Sequence, residues 1–286
     1  MSTPAALALA VPAVCMLVAL GSNLLYWYEA VNSQEPSISL PRPGLIVCLA
    51  QYANTCGSYL LCVITCVLSP FCKRRAGKAS GQTPGLPPLI LIHGIYNGAA
   101  VWLYLGRCFT KAGFAVSTCS YRSFFTSPER ILQGIEEHVR AVEAAFPGAK
   151  PVFVCHSLGG VLVRHWLLLP GNKERAGGVL TLGTPQQGSK VAALGPGNLV
   201  KHLLPAAAFI RALKDAPDSA PLPCVALVSP WDEAVLPASG LLPPSGWRIR
   251  FTGRQGHFNM LFCPEVARIA LDELGTIARK DAACVG

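Results

Sequence analysis

A serine at position 157 lies in a sequence context that can turn a weak nucleophile into a reactive one. Residues 151–160 read PVFVCHSLGG, so an apolar run precedes Ser157, and the small residues Cys155 and Gly159 lie two positions away on either side. A strand-to-helix turn forces such a serine into a strained backbone conformation that is tolerated only between small residues. Cys155 departs from the usual G-x-S-x-G pattern but is still small. We therefore predict that Ser157 is a nucleophile on a sharp turn.

A serine nucleophile needs a general base, and the base needs a carboxylate to orient it. Asp232 follows one predicted strand, in the segment SPWDEAVLP, and His257 follows the next, in GRQGHFNML. The chain order of serine, acid and histidine is the order expected when the nucleophile lies on a strand-to-helix turn. We predict that Asp232 is the acid and His257 the base. Glu233 and Asp218 stay open as competing acids.

Attack by Ser157 would create a negative oxygen, which backbone N–H groups stabilise well because they are fixed in place before the charge develops. Leu158, directly after the serine, supplies one N–H at the predicted start of a helix. The loop HGIY after the first predicted strand supplies the other, which we assign to Ile95. His93 in the same segment is interpreted as a structural residue.

Alternating strand and helix patterns would position these residues. Short apolar runs predict strands at 89–93, 115–120, 152–155, 178–182, 224–229 and 247–252. Amphipathic patterns predict helices at 99–112, 128–146, 159–169 and 264–279. Such alternation is typical of an α/β fold in which helices flank a mostly parallel sheet. The loops after these strands would carry the three catalytic residues.

The segment at about 186–223 fits this alternation poorly. It contains amphipathic patterns around Leu203, Phe209 and Leu213. Two interpretations stay open: helices that pack in the core, or a cap over the active site that places an apolar wall beside the substrate. We favour the cap, because an insertion between two strands can extend over the edge of the sheet.

The N-terminal part of the chain differs from the rest, because residues 1–72 contain only three charged side chains. Apolar stretches at about 5–28 and 45–71 each exceed the roughly 20 residues that a helix needs to cross a bilayer. A signal peptide is the alternative for the first stretch, but no basic residue precedes Arg42. We predict a hairpin of two transmembrane helices.

Basic residues follow the second apolar stretch at once, at Lys73, Arg74, Arg75 and Lys78. Lys and Arg concentrate on the cytoplasmic side of membrane proteins, so this cluster predicts that both termini lie inside and the 31–43 connection outside. Residues 73–88 are basic and then rich in Gly and Pro, which predicts a linker to a catalytic domain at 89–286. We expect an integral protein of the cell membrane with its catalytic domain on the cytoplasmic face.

The net charge of +9 does not predict a nucleic-acid partner, because the basic residues form no stripe with interleaved aromatic side chains. Attraction to anionic lipid headgroups is the simpler explanation. The cysteines outside the apolar stretches show no metal-ligand spacing such as C-x-x-C. We expect a bilayer as partner and neither a metal nor another cofactor. The sequence leaves the oligomeric state open.

Five segments in order, LILIHGIY, CHSLGG, TLGTPQQGS, WDEAV and GHFNML, resemble the α/β-hydrolase superfamily of the lipase and esterase kind. The third, Thr181–Ser189, is similar to bacterial triacylglycerol lipases and to deacylases that act on lipid-anchored inositol. The resemblance covers residues 88–280 and excludes the apolar hairpin.

The resemblance implies an α/β-hydrolase fold and a role for each candidate residue. Ser157 would be the nucleophile, Asp232 the acid and His257 the base, with Ile95 and Leu158 as oxyanion donors. No calcium site can be matched residue by residue.

These observations predict a membrane-anchored serine hydrolase that cleaves carboxylic esters, of lipids or other acyl chains, through an acyl-enzyme intermediate. The lipid substrate is inferred from the apolar hairpin, the cationic cluster and the apolar insertion. Two alternatives stay open. One is a non-catalytic membrane scaffold or binding protein built on a hydrolase fold, and the other is a hydrolase of soluble thioesters or amides.

Overall fold

Six parallel strands form one sheet, and the loops that leave their carboxyl ends carry the candidate residues. The computed structural model describes residues 3–33, 38, 40, 44–72, 82–214 and 222–284. The strands are β1 Leu89–Ile92, β2 Val116–Cys119, β3 Val152–His156, β4 Gly178–Leu182, β5 Cys224–Val228 and β6 Arg248–Phe251. They lie in the order β2-β1-β3-β4-β5-β6, and all neighbouring pairs are parallel. This confirms the predicted parallel α/β sheet, with every strand end within one residue of its prediction.

Helices cover both faces of the sheet. They are α3 Leu103–Lys111, α4 Pro128–Ala145, α5 Leu158–Leu168, α6 Ala208–Lys214 and α7 Pro264–Cys284. Successive side chains of a strand point to opposite faces. Ile90 and Phe153 accordingly pack with α4 and α5 on one face, whereas Leu91 and Val154 pack with α3 and α7 on the other. Burial on both faces explains why these strands are continuous apolar runs in the sequence.

Two long helices precede this sheet. They are α1 Thr3–Asn32 and α2 Leu45–Leu68, and a 3-10 helix at Ser69–Phe71 continues α2. The helices pack against each other, and the Trp27 indole N–H donates a hydrogen bond to Gln51 Oε1 at 2.9 Å. By length and composition both are able to cross a membrane, with mean hydropathies of 1.6 and 1.4. They are consistent with the predicted hairpin. The cationic cluster after it lies outside the described residues.

The segment at 186–223 forms short helices where the structure describes it. Two 3-10 helices, Lys190–Ala193 and Leu199–Leu203, precede α6. Leu203 and Leu213 are buried in the same cluster as α4 and α5. This part therefore packs against the body of the protein. Residues 215–221, which include Asp218, lie outside the described part, and the cap over the active site stays a prediction.

Candidate active site

Ser157 lies on a strained turn between β3 and α5. Its backbone angles are φ 53° and ψ −124°, a left-handed conformation that is costly for any residue other than glycine. Gly159 makes the turn sterically possible, because a Cβ there would lie 2.5 Å from Ile92 O and 2.8 Å from His93 O. Cys155 is tolerated because its side chain packs in the apolar cluster that α4 and α5 cover.

The carboxyl end of β4 holds this turn from the other side. The Ser157 N–H donates a hydrogen bond to Leu182 O at 3.0 Å, and Thr184 Oγ1 donates one to Ser157 O at 3.0 Å. Gly183, which follows Leu182, lies close to both the acid and the base. A Cβ there would lie 3.0 Å from Asp232 Oδ2 and 3.1 Å from His257 Nδ1. The sequence analysis assigned no role to Leu182, Gly183 or Thr184, although all three lie in the TLGTPQQGS segment.

Asp232 and His257 form a buried hydrogen-bonded pair. Their Nδ1 and Oδ2 atoms are 2.8 Å apart. The other carboxylate oxygen, Oδ1, accepts hydrogen bonds from Ala234 N at 2.9 Å and Val235 N at 3.0 Å, so the carboxylate is held in one orientation. Burial opposes charge on the imidazole, but the Asp232 carboxylate outweighs it and raises the pKa of His257 above its usual 6.5. This geometry orients the ring and favours its charged form.

Glu233 makes a different contact from its neighbour Asp232. Its Oε2 accepts a hydrogen bond from the His257 backbone N–H at 3.0 Å, while Oε1 is buried without a partner. A Cβ on Gly256 would lie 2.8 Å from that Oε2, so a side chain there would displace the carboxylate. Burial and the nearby Asp232 charge raise the pKa of Glu233 to about 7. Of the two adjacent acids, Asp232 contacts the ring and Glu233 holds the backbone.

Ser157 and His257 lie on adjacent loops. His156, which precedes the serine, donates a hydrogen bond from Nε2 to His257 O at 3.1 Å, and the two imidazole centroids are 4.7 Å apart. Within the part of the chain that the structure describes, no hydrogen bond joins Ser157 Oγ to the His257 ring. Such catalytic hydrogen bonds often form only when substrate is bound. Ser157 itself is only 6% exposed.

The loop after β1 adjoins the serine. A Cβ on Gly94 would lie 2.8 Å from Ser157 Cβ, which brings Ile95 to the same region. The Tyr96 N–H already donates to Ser123 Oγ at 2.7 Å. Among the described residues, the N–H groups of Ile95 and Leu158 donate to no other protein group. Both are therefore available to a negative oxygen on the substrate.

His93 is enclosed by the loops on either side of it. Its Nδ1 donates to Gly94 O at 2.8 Å, and its Nε2 accepts from the Tyr121 N–H at 3.2 Å. The ring also stacks on Tyr121, with centroids 4.3 Å apart. Complete burial lowers the pKa of His93 to about 4, so this ring stays neutral. These contacts agree with a structural role.

Two cavities of the protein are lined by residues other than the candidate triad. The described residues contain no group of three or more His, Cys, Asp or Glu side chains that could hold a metal ion. A cavity of about 920 Å³ is lined by Arg164, Gln187 and Trp247, among others, but by no triad residue. The hydrogen-bonded pair of Asp232 and His257 beside Ser157 supplies the side chains that proton transfer and nucleophilic attack require.

Comparisons with known proteins concern the sheet and its helices. A family profile described as alpha/beta hydrolase fold matches residues 87–219. The mature lipase BlEst2 of Bacillus licheniformis superposes with a TM-score of 0.61 and 17% identity, over 70% of this chain and 96% of the lipase. Lipase B of Aspergillus fumigatus gives 0.58 and 20%, over 70% of this chain and 55% of that one. None of the curated protein sequences compared with the chain matches it.

Proposed function

We propose that this chain, an α/β-hydrolase by fold and similar in fold to lipases and esterases, is a membrane-anchored serine hydrolase that cleaves carboxylic esters. The observation that carries the proposal is the 2.8 Å hydrogen bond between His257 Nδ1 and Asp232 Oδ2, beside a serine with a φ of 53°. Strain of this kind persists where function requires it, and buried charge pairs concentrate in active sites.

The first half of the reaction forms an acyl-enzyme. Ser157 Oγ attacks the ester carbonyl carbon while His257 Nε2 takes the hydroxyl proton. Asp232 keeps the ring in the tautomer that leaves Nε2 free and stabilises the imidazolium that results. The carbonyl oxygen becomes negative and accepts hydrogen bonds from the N–H groups of Leu158 and Ile95. The intermediate then expels the alcohol, which receives the proton from His257.

The second half releases the acid. His257 takes a proton from water, and the hydroxyl oxygen of that water attacks the acyl carbon on Ser157. The intermediate collapses, the Ser157 oxygen recovers its proton from His257, and a carboxylic acid leaves. Each oxyanion donor in a site of this type contributes about 10²- to 10³-fold to kcat.

We propose that the substrates are lipids or other esters with acyl chains. Three features support this choice. The hairpin exposes large apolar side chains, the sequence places a cationic cluster directly after it, and two proteins of similar fold are called lipases. The proposal includes the exposed apolar face of the hairpin in the cell membrane and residues 89–286 on the cytoplasmic side, packed against the opposite face of the hairpin.

The test uses full-length protein in lipid nanodiscs and p-nitrophenyl esters from acetate to palmitate. We expect kcat/KM to rise with acyl length, and Ser157→Ala to lower kcat by more than about 10⁴-fold. Ser245→Ala, at an exposed serine in the loop before β6, is the serine control. Equal hydrolysis by wild type and Ser157→Ala would refute the mechanism. Hydrolysis of acetate alone, or faster turnover of a soluble thioester or amide, would refute the lipid substrate.

A second candidate is a non-catalytic membrane scaffold, which the 6% exposure of Ser157 favours. The two candidates differ in their reaction with a fluorophosphonate, which phosphorylates an activated serine. We expect labelling of Ser157 in wild type and none in His257→Ala. Folded full-length protein that is not labelled would establish the scaffold instead.

A further inference from the structure

The hairpin contacts the loop that carries Asp232. Tyr26 of α1 is completely buried, and its hydroxyl donates a hydrogen bond to Pro230 O at 2.9 Å. Its ring stacks on Trp231, with centroids 6.1 Å apart and an angle of 24° between the rings. Pro230 and Trp231 are the two residues directly before Asp232. Tyr26 therefore holds both the backbone and a side chain of the segment that leads to the acid.

The second helix contacts the loop that carries His257. The Tyr59 ring of α2 meets Phe258 edge to face, with centroids 5.2 Å apart. Phe258 directly follows the histidine and packs edge to face on it, at 5.0 Å. The contacts from Tyr59 through Phe258 to the imidazole therefore link α2 to the histidine loop.

The end of α2 contacts the loop that carries Ile95. Cys66 Sγ donates a hydrogen bond to Tyr96 O at 2.8 Å. Ser69 Oγ accepts one from Ala100 N at 3.2 Å, and a Cβ on the intervening Gly98 would collide with the Ser69 side chain. The hairpin thus touches three loops, those of the acid, the base and an oxyanion donor.

The hairpin is built to hold these contacts in register. Polar side chains join its two helices, with Tyr59 donating to Ser22 at 3.2 Å and Trp27 to Gln51 at 2.9 Å. Unpaired polar groups are costly in apolar surroundings, so these pairs favour one arrangement of the helices. The two tyrosines are therefore fixed relative to each other as well as to the loops.

We infer that the hairpin is part of the catalytic apparatus, with Tyr26 and Tyr59 as positioning residues for Asp232 and His257. The inference rests on the proposed hydrolase function and adds a second role to the membrane anchor. Catalytic groups must be held within about 0.5 Å of their productive geometry, and loops achieve this only when surrounding residues lock them. A displacement of about 1 Å lowers the rate by about 10²-fold.

The test compares Tyr26→Phe, Tyr59→Phe and Tyr59→Leu with Tyr28→Phe, all in full-length protein in nanodiscs. Tyr28 is an exposed tyrosine on α1 and is the matched control. We expect each positioning Phe variant to lower kcat by about 3- to 10-fold, the effect of one lost hydrogen bond or close polar contact, with KM unchanged. Tyr59→Leu also loses the ring contact, so we expect it to lower kcat by about 10²-fold. Tyr59→Phe keeps the ring and should therefore lose much less activity than Tyr59→Leu.

The rate of labelling by a fluorophosphonate is measured beside kcat, because it reports the reactivity of Ser157 without a bound acyl chain. We expect labelling to slow in the same order as kcat while the thermal unfolding midpoint of the Phe variants stays within a few degrees of wild type. Labelling of all variants at the rate of Tyr28→Phe would overturn the inference and leave the hydrolase intact. Absence of labelling in wild type would instead refute the proposed function.

Discussion

In the body of the protein most buried side chains are apolar, such as Leu91 and Val154, whereas in α2 most are polar, among them Gln51 and Thr55. On the exposed surface the hairpin is apolar instead. The outer face of the hairpin exposes large apolar residues, among them Leu17, Leu45, Ile46, Val67 and Phe71.

A body in water gains stability by burying apolar surface, whereas helices in hydrocarbon gain nothing from this and associate through packing and polar contacts. The surfaces of the two regions are those expected of a body in water and of a hairpin whose exposed face lies in lipid, as we propose. This supports the proposed anchor.

The two regions meet at the catalytic edge, which resembles neither. Asp232, Glu233 and His257 are all buried there, with 2% exposure or less. Buried charge is tolerated only where hydrogen bonds compensate for lost water. We therefore expect the largest effect from a substitution at this edge.

The largest effect is expected from Asp232→Asn. The amide preserves the shape of the side chain but presents the wrong partner to His257 Nδ1, so we expect kcat to fall by about 10⁴-fold. Asp272→Asn on the exposed side of α7 is the control and should stay within twofold. Nearly full activity in Asp232→Asn would mean that the buried charge at this edge is structural. Glu233 would then be the next residue to test.

A smaller effect is expected when a charge is placed on the apolar face of the hairpin. Leu17→Lys adds a cation to a surface that we propose lies in lipid, at a cost of about 2.5–3.5 kcal/mol. The fraction of protein that resists alkaline carbonate washing of membranes should fall. Leu194→Lys, at an equally exposed site in the body, should change stability by no more than about 0.5 kcal/mol and leave this fraction unchanged. Equal retention of both variants would place the hairpin face in water.

The smallest effect is expected from Glu233→Gln on the pH profile. His257 must be neutral to accept the serine proton, so kcat/KM rises as pH increases through its pKa, which lies above the usual 6.5. The Glu233 charge is one of the causes that raise this pKa. Its removal should move the rising limb to lower pH, while the amide oxygen still accepts the His257 N–H. Glu174→Gln is the exposed control. An unchanged rising limb in the pH profile of Glu233→Gln would show that Glu233 acts only through its hydrogen bond to the His257 backbone.

Glu233 also makes folding stability depend on pH. Its pKa is raised in the folded protein from 4.5 to about 7, so the folded state binds more protons than the unfolded state between these values. Stability should therefore decrease as pH rises from about 4.5 to 7. Thermal unfolding of Glu233→Gln should lack this decrease.

The sequence predicted most of the sheet because its strands are local patterns. Runs such as 178–182 are apolar, short and bounded by loop residues, and β4 occupies the same residues. The turn at Ser157 was predictable for the same reason, since its steric demand is met by residues two positions away. Sequence reasoning also identified Asp232 and His257, which lie in contact, from their order after later strands.

Other features depend on contacts between distant parts of the chain. No local pattern distinguishes Asp232 from Glu233, because the difference lies in which side chain faces the imidazole. The contact between Tyr26 and Pro230 joins residues 204 positions apart, and apolar periodicity in α1 carries no sign of it. Gly183 illustrates the same limit, because its closeness to the acid and base follows from the packing of β4 against their loops.

The 204-residue separation between Tyr26 and Pro230 also sets an order of events during synthesis. At roughly 5–20 residues per second, about 10 to 40 seconds pass between translation of the tyrosine and of its acceptor. During most of this interval the hairpin is already complete, whereas the loops that carry Asp232 and His257 have not been translated. Any activity that depends on this contact begins only after the newly made body has packed against α1 and α2. Under the proposed function, a newly made chain would thus stay inactive until its body has docked on the hairpin.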